Sequence, residues 1–364
     1  MPVDFIGLIA TQDGSESAPA TTALIDPAFT TRIARAHEDS GFDQVLLGYS
    51  SAYPDGAQVA AYAAARTERL GFLVAHRPGF VAPTLAARTF ATLDQFTGGR
   101  VALNIITGGH DAEQRRDGDY LTKDERYART GEYLGILRRA WTSAEPFSHE
   151  GGHYRFEDFV AQVKPVNPTI PIYFGGSSPA AYRTGAEHAD VYMFWGEPLA
   201  QIQEQIASVR SEAARINRTA PGFSVSFRPI LGPTEELAWE RAESILGRIG
   251  SVTAPRFFRN RDRDNPANVG SQRLLAAASQ SDRHDRALWT ATAKASGAAG
   301  NSTALVGTPE TVAQALLDYY DLGVTTFLIR GYDPLDDAID YGRELIPAVR
   351  AEIARRDAAQ LVAA

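Results

Sequence analysis

The sequence predicts an α/β fold, a (β/α)8 barrel with insertions, on three observations. Short apolar runs alternate with amphipathic helical stretches almost from end to end, which implies parallel strands joined by right-handed crossovers. About eight such strand–helix units follow one another, the number that closes a barrel. The chain has 364 residues, 44% of them hydrophobic, enough for the core of one large domain spanning residues 1–364. The runner-up, a doubly wound open sheet, would carry a Gly-x-Gly-x-x-Gly turn after an early strand, and none is found there.

Phe5–Ala10 is the first strand, and Thr11–Asp26 is a polar loop. Pro27 opens a helix to Ser40, where Gly41 ends it: proline needs no donor in a first turn, and glycine accepts the left-handed cap. Val45–Leu47 is the second strand, Gly56–Thr67 an Ala-rich helix and Leu70–Ala75 the third strand. The helix Thr84–Phe96 stops at Gly98-Gly99, and Val101–Ile106 is the fourth strand. A polar loop, Gly108–Thr122, leads to a long helix, Asp124–Trp141, with Asp124 as its N-cap. Between Glu145 and Pro168 the alternation breaks, and Phe147, Tyr154, Phe156 and Phe159 around Gly151-Gly152 predict a small hairpin.

Ile172–Phe174 and Val191–Phe194 are strands five and six, flanking a helix that Ser177-Ser178-Pro179 opens. Leu199–Ile216 is a helix, Phe223–Leu231 the seventh strand and Thr234–Ile249 another helix. Ser251–Ser302 is long, irregular and rich in charges and small residues; it is either a mobile lid or an ordered helical insertion. Pro309–Leu322, Thr326–Ile329 and a last helix complete the cycle.

The net charge is −8 and no concentrated basic stripe occurs, which argues against nucleic acid or an anionic membrane as partner. The absence of cysteine excludes disulfides, thiolate catalysis and cysteine-bound zinc. With no signal-like N-terminus and no long apolar span, a cytoplasmic protein is expected.

Barrel chemistry gathers at the carboxyl ends of the strands. Those positions hold Thr11, Tyr49, His76-Arg77, Thr107, Gly175-Gly176-Ser177-Ser178, Trp195, Arg228 and Arg330-Gly331-Tyr332. They offer no pair of carboxylates for glycoside hydrolysis, no metal-ligand spacing and no Gly-x-Ser-x-Gly elbow, so no metal is expected. Such a rim suits an anionic, aromatic cofactor that carries the difficult chemistry, together with an anionic or polar substrate. Gly175–Ser178 is either a tight strand-to-helix turn with a serine N-cap or an anion site at a helix start. Tyr127, near the start of its helix, would point toward the same rim. Trp195 would fill the barrel mouth or wall a reaction chamber, and His76 is either a loop histidine or a proton carrier. Arg228 and Arg330 end strongly apolar runs, and an inward guanidinium at either place needs an anion.

With these residues in place, the chain resembles the bacterial luciferase-like flavin monooxygenases, most closely the two-component alkanesulfonate monooxygenases. The marks are RPGFVAPTLAARTFATLDQFTGGR, NIITGG, DGDYLTKDERY, IYFGGSSPAAYRTGAEHADVYMFWGEP, TALVGTPETVAQAL and IRGY. The resemblance implies a barrel that binds reduced FMN, supplied by a separate NAD(P)H-dependent flavin reductase. Oxygen would add to the flavin as a C4a-peroxyflavin that oxygenates a small organic substrate, and a sulfonate would be cleaved to an aldehyde and sulfite. By the same resemblance, Asn104 and Thr107 lie near the isoalloxazine. Tyr127, Gly176, Ser177 and Ser178 hold the phosphate. Trp195 and Tyr332 line the active site, and Arg228 matches an arginine of the sulfonate pocket. In a monooxygenase of this kind Arg228 is expected to hold an anionic or carbonyl oxygen of the substrate, and Tyr332 or His76 to handle protons near the flavin.

Three polar groups of the sulfonate enzymes are replaced. The loop Gly48–Asp55 has Tyr53 near the place of a cysteine, Ile230 stands for a histidine, and Ser296 or a neighbour for a lid arginine. Arg330, Lys294 and Arg77 are the cations available to compensate, with Arg330 and Tyr53 added to the expected substrate contacts. The resemblance also implies a homo-oligomer, dimer or tetramer. Two alternatives stay open: an oxidoreductase of the same superfamily using deazaflavin F420 or a flavin on another substrate, and a non-catalytic flavin-binding barrel.

Overall fold

The computed structural model describes residues 2–249, 266, 268–298, 300 and 302–363. Eight parallel strands form a closed barrel with helices between them. They are β1 (Asp4–Ile9), β2 (Gln44–Leu47), β3 (Gly71–His76), β4 (Val101–Ile105), β5 (Ile172–Gly175), β6 (Val191–Trp195), β7 (Gly222–Leu231) and β8 (Val324–Ile329). The order around the ring is β7-β8-β1-β2-β3-β4-β5-β6, and pairing of β6 with β7 closes it. Each expected strand is present; the apolar runs of β3, β4, β5 and β7 are buried on nearly every side, as suits a barrel strand, while β2 and β6 alternate buried with half-buried positions.

Contacts gather the chain into two compact units. Met1–Val45, Met193–Ala207 and Gly222–Ala364 form the first; Leu46–Tyr192 and Ser208–Pro221 form the second.

In the first unit β7 does two jobs. Its first half pairs with β8, Phe227 opposite Ile329, while Arg228–Leu231 pairs with the strand Ala304–Gly307. Side chains alternate across a strand. The Phe227 ring lies 4.8 Å from Tyr319 of the outer helix Pro309–Tyr320, so Ser226 and Arg228 face the barrel interior. Leu328 pairs with Ser226, which carries Arg330 to the same interior face.

The irregular stretch after Thr234–Ile249 forms an insertion with secondary structure of its own where it is described. It contains the helix Val269–Gln280, two short strands and the helix Ala291–Ser296. Asn268 caps the first of these helices through Ser271 N–H at 2.7 Å. Residues 251–265 of the expected lid lie outside the described residues.

In the second unit β3, β4 and β5 pair in register, Asn104 lying opposite both Ala75 and Tyr173. Val74 packs toward the outer helix Gly56–Ala64, so Ala75 and Asn104 face the interior. The predicted hairpin is Phe147–Glu150 with Arg155–Phe159, closed by the edge-on rings of Phe147, Phe156 and Phe159. His149 ties it to Glu132 at 2.9 Å.

Two expectations in this unit need correction. The polar loop Gly108–Thr122 contains a short helix, Asp111–Arg116. The long helix runs Lys123–Thr142 and is capped by Thr122, not Asp124. Thr122 and Glu125 form a reciprocal capping box that satisfies two donors where Asp124 would satisfy one.

Candidate functional site

The second unit carries the glycine–serine turn. β5 ends at Gly175, and Gly176 has φ +150°, in the region that favours glycine. A Cβ there would lie 2.7 Å from the Ala181 Cβ and 3.3 Å from the Tyr127 hydroxyl. Ser178 caps the helix Pro179–His188 by accepting from Ala181 N–H at 3.3 Å, and its side chain also meets the Tyr127 hydroxyl. Tyr192 donates to the Gly176 carbonyl at 2.8 Å, fixing the turn from behind. Tyr127, Gly176 and Ser178, expected together, do come together, and Ser177 lies on the same turn, partly exposed. Burial raises the Tyr127 pKa, so its hydroxyl keeps its proton and remains a donor.

Asn104 is partly buried on the interior face of β4, and Thr107 is buried just beyond it. The Thr107 hydroxyl oxygen has no hydrogen-bond partner among the described residues. A buried hydroxyl without a partner costs stability unless a ligand or water satisfies it. The turn that a Cβ would fill and the hydroxyls beside it form a donor set that fits the phosphate of a cofactor such as FMN, and the orphaned Thr107 oxygen is a further polar atom that a ligand would satisfy.

His76 is placed elsewhere than expected. Its Nε2 meets the Tyr133 hydroxyl at 2.7 Å and its ring packs edge-on against Phe90, both on outer helices. Burial pulls its pKa down to about 4, so the ring is neutral and sits in the helix layer. The expectation that it handles protons is therefore corrected: alternation along β3 turns His76 outward and Ala75 inward. Arg77 is buried and held by Glu113 at 3.0 Å and Asp117 at 3.4 Å, with Tyr49 donating to Asp117 at 2.9 Å. It is a neutralised brace and not a spare cation. Tyr53 is exposed, its backbone closing a turn on Ser50.

The first unit holds the two interior arginines, and they share one carboxylate. Glu16, from the loop after β1, meets Arg228 through both oxygens at 3.0 Å and Arg330 at 2.7 Å. Burial pushes the Glu16 carboxyl up, but Arg228 and Arg330 outweigh it and hold it well below the usual carboxylate range. The loop is stiffened by Asp13, which accepts from the backbone of Thr21 and Thr22 at 2.8 Å each. The Arg228 guanidinium lies 3.7 Å from the centre of the Tyr332 ring and donates to the Gly331 carbonyl at 2.9 Å. Tyr332 is buried against Thr292 of the insertion, and burial raises its pKa. It is a wall for Arg228 that keeps its proton. The chain itself thus supplies one anion, Glu16, for the two interior arginines.

Trp195 meets the insertion: a Cβ on Gly270 would lie 2.7 Å from its ring, and Leu274, Ala293 and Ala298 pack around it. Beside it Glu197, 1% exposed, binds Arg273 Nε through both oxygens at 3.1 and 2.9 Å. Burial raises the Glu197 pKa to about 7 against the pull of Arg273. Lys294 lies exposed on the helix Ala291–Ser296.

Sequence inspection missed Glu16, Glu197 and the Arg273 latch. Glu16 carries no local signal, since its partners lie more than 200 residues away. Glu197 follows Trp195-Gly196 at a strand end and could have been weighed there. Among the described residues no cluster could hold a metal ion, and no helix is long and apolar enough to cross a membrane.

Residues 4–326 match the family model described as luciferase-like monooxygenase. Solved structures share the fold at low identity. A riboflavin lyase with modified FMN and riboflavin superposes with a TM-score of 0.79 at 19% identity, over 97% of this chain and 92% of that one. EDTA monooxygenase from Chelativorans sp. BNC1 gives 0.76 at 18%, over 97% and 94%. A long-chain alkane monooxygenase gives 0.77 at 17%, over 97% and 92%.

Proposed function

Because this chain belongs to the luciferase-like monooxygenase family, we propose that it is a reduced-FMN- and oxygen-dependent monooxygenase acting on a small anionic organic substrate. The observation that carries the cofactor is the turn at Gly176. Only glycine fits there, the Tyr127 and Ser178 hydroxyls converge beside it, and a helix start faces the same point. That is a phosphate cradle in which backbone donors and the helix dipole act together. The neighbours crystallised with flavin or named as monooxygenases support the same reading.

Bound reduced FMN would supply the two electrons with which dioxygen is split between substrate and water. The chain's own residues do the rest. Tyr127, Ser177 and Ser178 would anchor the phosphate, and Asn104 and Thr107 would face the ring system. Arg228 and Arg330 with Glu16 leave one net positive charge, which attracts and orients an anion. The insertion, latched by Arg273 to Glu197 and packed on Trp195, would act as the lid that keeps water from the reacting atoms. With an organosulfonate, one oxygen atom would end in the aldehyde and the other in water, with sulfite released and FMN oxidised. A separate NAD(P)H-dependent reductase would supply the reduced flavin.

The test is turnover of a panel of sulfonates, carboxylates and neutral ketones with chemically reduced FMN in air. Product is expected only with reduced FMN and oxygen together, and with anions ahead of ketones. Tight binding of deazaflavin F420 without binding of reduced FMN would instead make the chain a hydride-transfer enzyme.

A further inference from the structure

We propose that Arg330 receives the negative group of the substrate, and that Glu16, by neutralising Arg228, limits that substrate to a single negative charge. This rests on the barrel mouth being the substrate end of the enzyme. It departs from the expectation that Arg228 is the direct contact.

The two arginines differ in what remains of them once Glu16 is bound. Arg228 is 2% exposed, and both terminal nitrogens are engaged, one with Glu16 and the other with Glu16 and the Gly331 carbonyl. Its flat face is covered by Tyr332 at 3.7 Å. Its Nε is enclosed and has no partner among the described residues, so no face remains for a ligand to approach. Arg330 is 23% exposed at its side chain and gives one terminal nitrogen to Glu16. Its other guanidinium N–H groups make no further bond among the described residues. They are the accessible donors of the cluster, and a planar fork of this kind suits a carboxylate or sulfonate.

Glu16 sets the charge. Two guanidiniums and one carboxylate sum to one positive charge, and Glu16 is held in the ionised form by the cations it binds. It is also 40% exposed at its side chain, so an arriving ligand meets the carboxylate as well as Arg330. A monoanion on Arg330 completes the neutralisation. A dianion would place its second charge beside Glu16, with no cation left to receive it, and like charges at such range repel strongly. The braced loop that carries Glu16 keeps the carboxylate from swinging aside. The substrate class that follows is an organic monoanion with an otherwise uncharged body.

The experiment is calorimetric titration of the full chain with methanesulfonate and with 1,2-ethanedisulfonate, each with and without saturating oxidised FMN. Wild-type protein should bind the monoanion at least tenfold more tightly than the dianion. Arg330→Gln should weaken monoanion binding at least tenfold while leaving FMN affinity in place. Glu16→Gln should erase or reverse the preference. Because that change leaves Arg228 unpaired and threatens folding, the double variant Glu16→Gln/Arg228→Met removes the pair together. It restores one net charge and should retain the wild-type preference.

A wild-type preference for the dianion overturns the proposal, as does an Arg330→Gln protein that binds the monoanion normally. Failure of methanesulfonate to bind in both samples overturns it too. Failure of FMN to bind while the charge preference holds sinks the flavin assignment alone.

Discussion

Replacing Gly176 with alanine would test the cofactor assignment at its narrowest point. The backbone there has φ +150°, and the new Cβ would sit 2.7 Å from the Ala181 Cβ. Carbon atoms pack at about 3.5–4.0 Å, so roughly 1 Å must be recovered by moving the turn or the start of the helix Pro179–His188. Backbone strain of this sort costs about 1–3 kcal/mol. In a chain of 364 residues about 2 kcal/mol lowers the melting temperature by roughly 2–3 °C, because the unfolding entropy grows with length. The same Cβ lies 3.3 Å from the Tyr127 hydroxyl, inside the space a phosphate oxygen would take. FMN affinity should therefore fall at least tenfold, about 1.4 kcal/mol. Riboflavin, which has the same ring system and no phosphate, should lose far less. The assay is fluorescence titration of Gly176→Ala with FMN and with riboflavin, beside a thermal melt. Equal losses for the two ligands, or none for either, would refute the phosphate cradle. A Tyr127→Phe variant should repeat the FMN-selective loss without the fall in melting temperature.

Two further outcomes follow from the buried charges. Burial raises the Glu197 pKa to about 7, from about 4.5 in the unfolded chain, so the folded protein holds this proton more tightly. Stability should then fall as pH rises from 4.5 to 7, by at most about 3 kcal/mol for this group. Glu197→Gln should flatten that part of the urea-derived stability profile, and parallel profiles for the two proteins would contradict it. Asp119 pairs with Arg129 at 2.5 Å, with side chains 2% and 11% exposed. Asp119→Asn strands a buried guanidinium and should cost about 3–5 kcal/mol, measured by urea unfolding; a loss under 1 kcal/mol would show that the pair is solvated.

The barrel strands were legible because each is an apolar run between turn residues, a signal carried within a few positions. The glycine–serine turn was legible for the same reason: Gly175-Gly176-Ser177-Ser178-Pro179 states a sharp turn, a cap and a helix start in consecutive residues. The capping box of Thr122 and Glu125 was present in the sequence as well, but the acidic side chain between them competes as a cap, and only geometry separates the two. The helix Asp111–Arg116 was hidden by its shortness; Glu113 within it and Asp117 at its C-cap are placed to hold Arg77, a tertiary demand. His76 read as a rim residue because strand ends are ambiguous by one position, and one position turns a side chain from the interior to the helix layer.

The sequence by itself determined the alternation, the count of strands, the glycine–serine turn and the absence of thiol chemistry. All of these depend on residue type and short-range spacing. Only the tertiary structure decided the charge at the barrel mouth. Glu16 reaches Arg228 and Arg330 across more than 200 residues, and Arg77 is claimed by a helix with no periodic signature. Electrostatics sums over neighbours in space, and neighbours in space are what a linear pattern does not carry. The glycine–serine turn is therefore written locally, while the net charge of the Arg228–Glu16–Arg330 cluster is set by the fold.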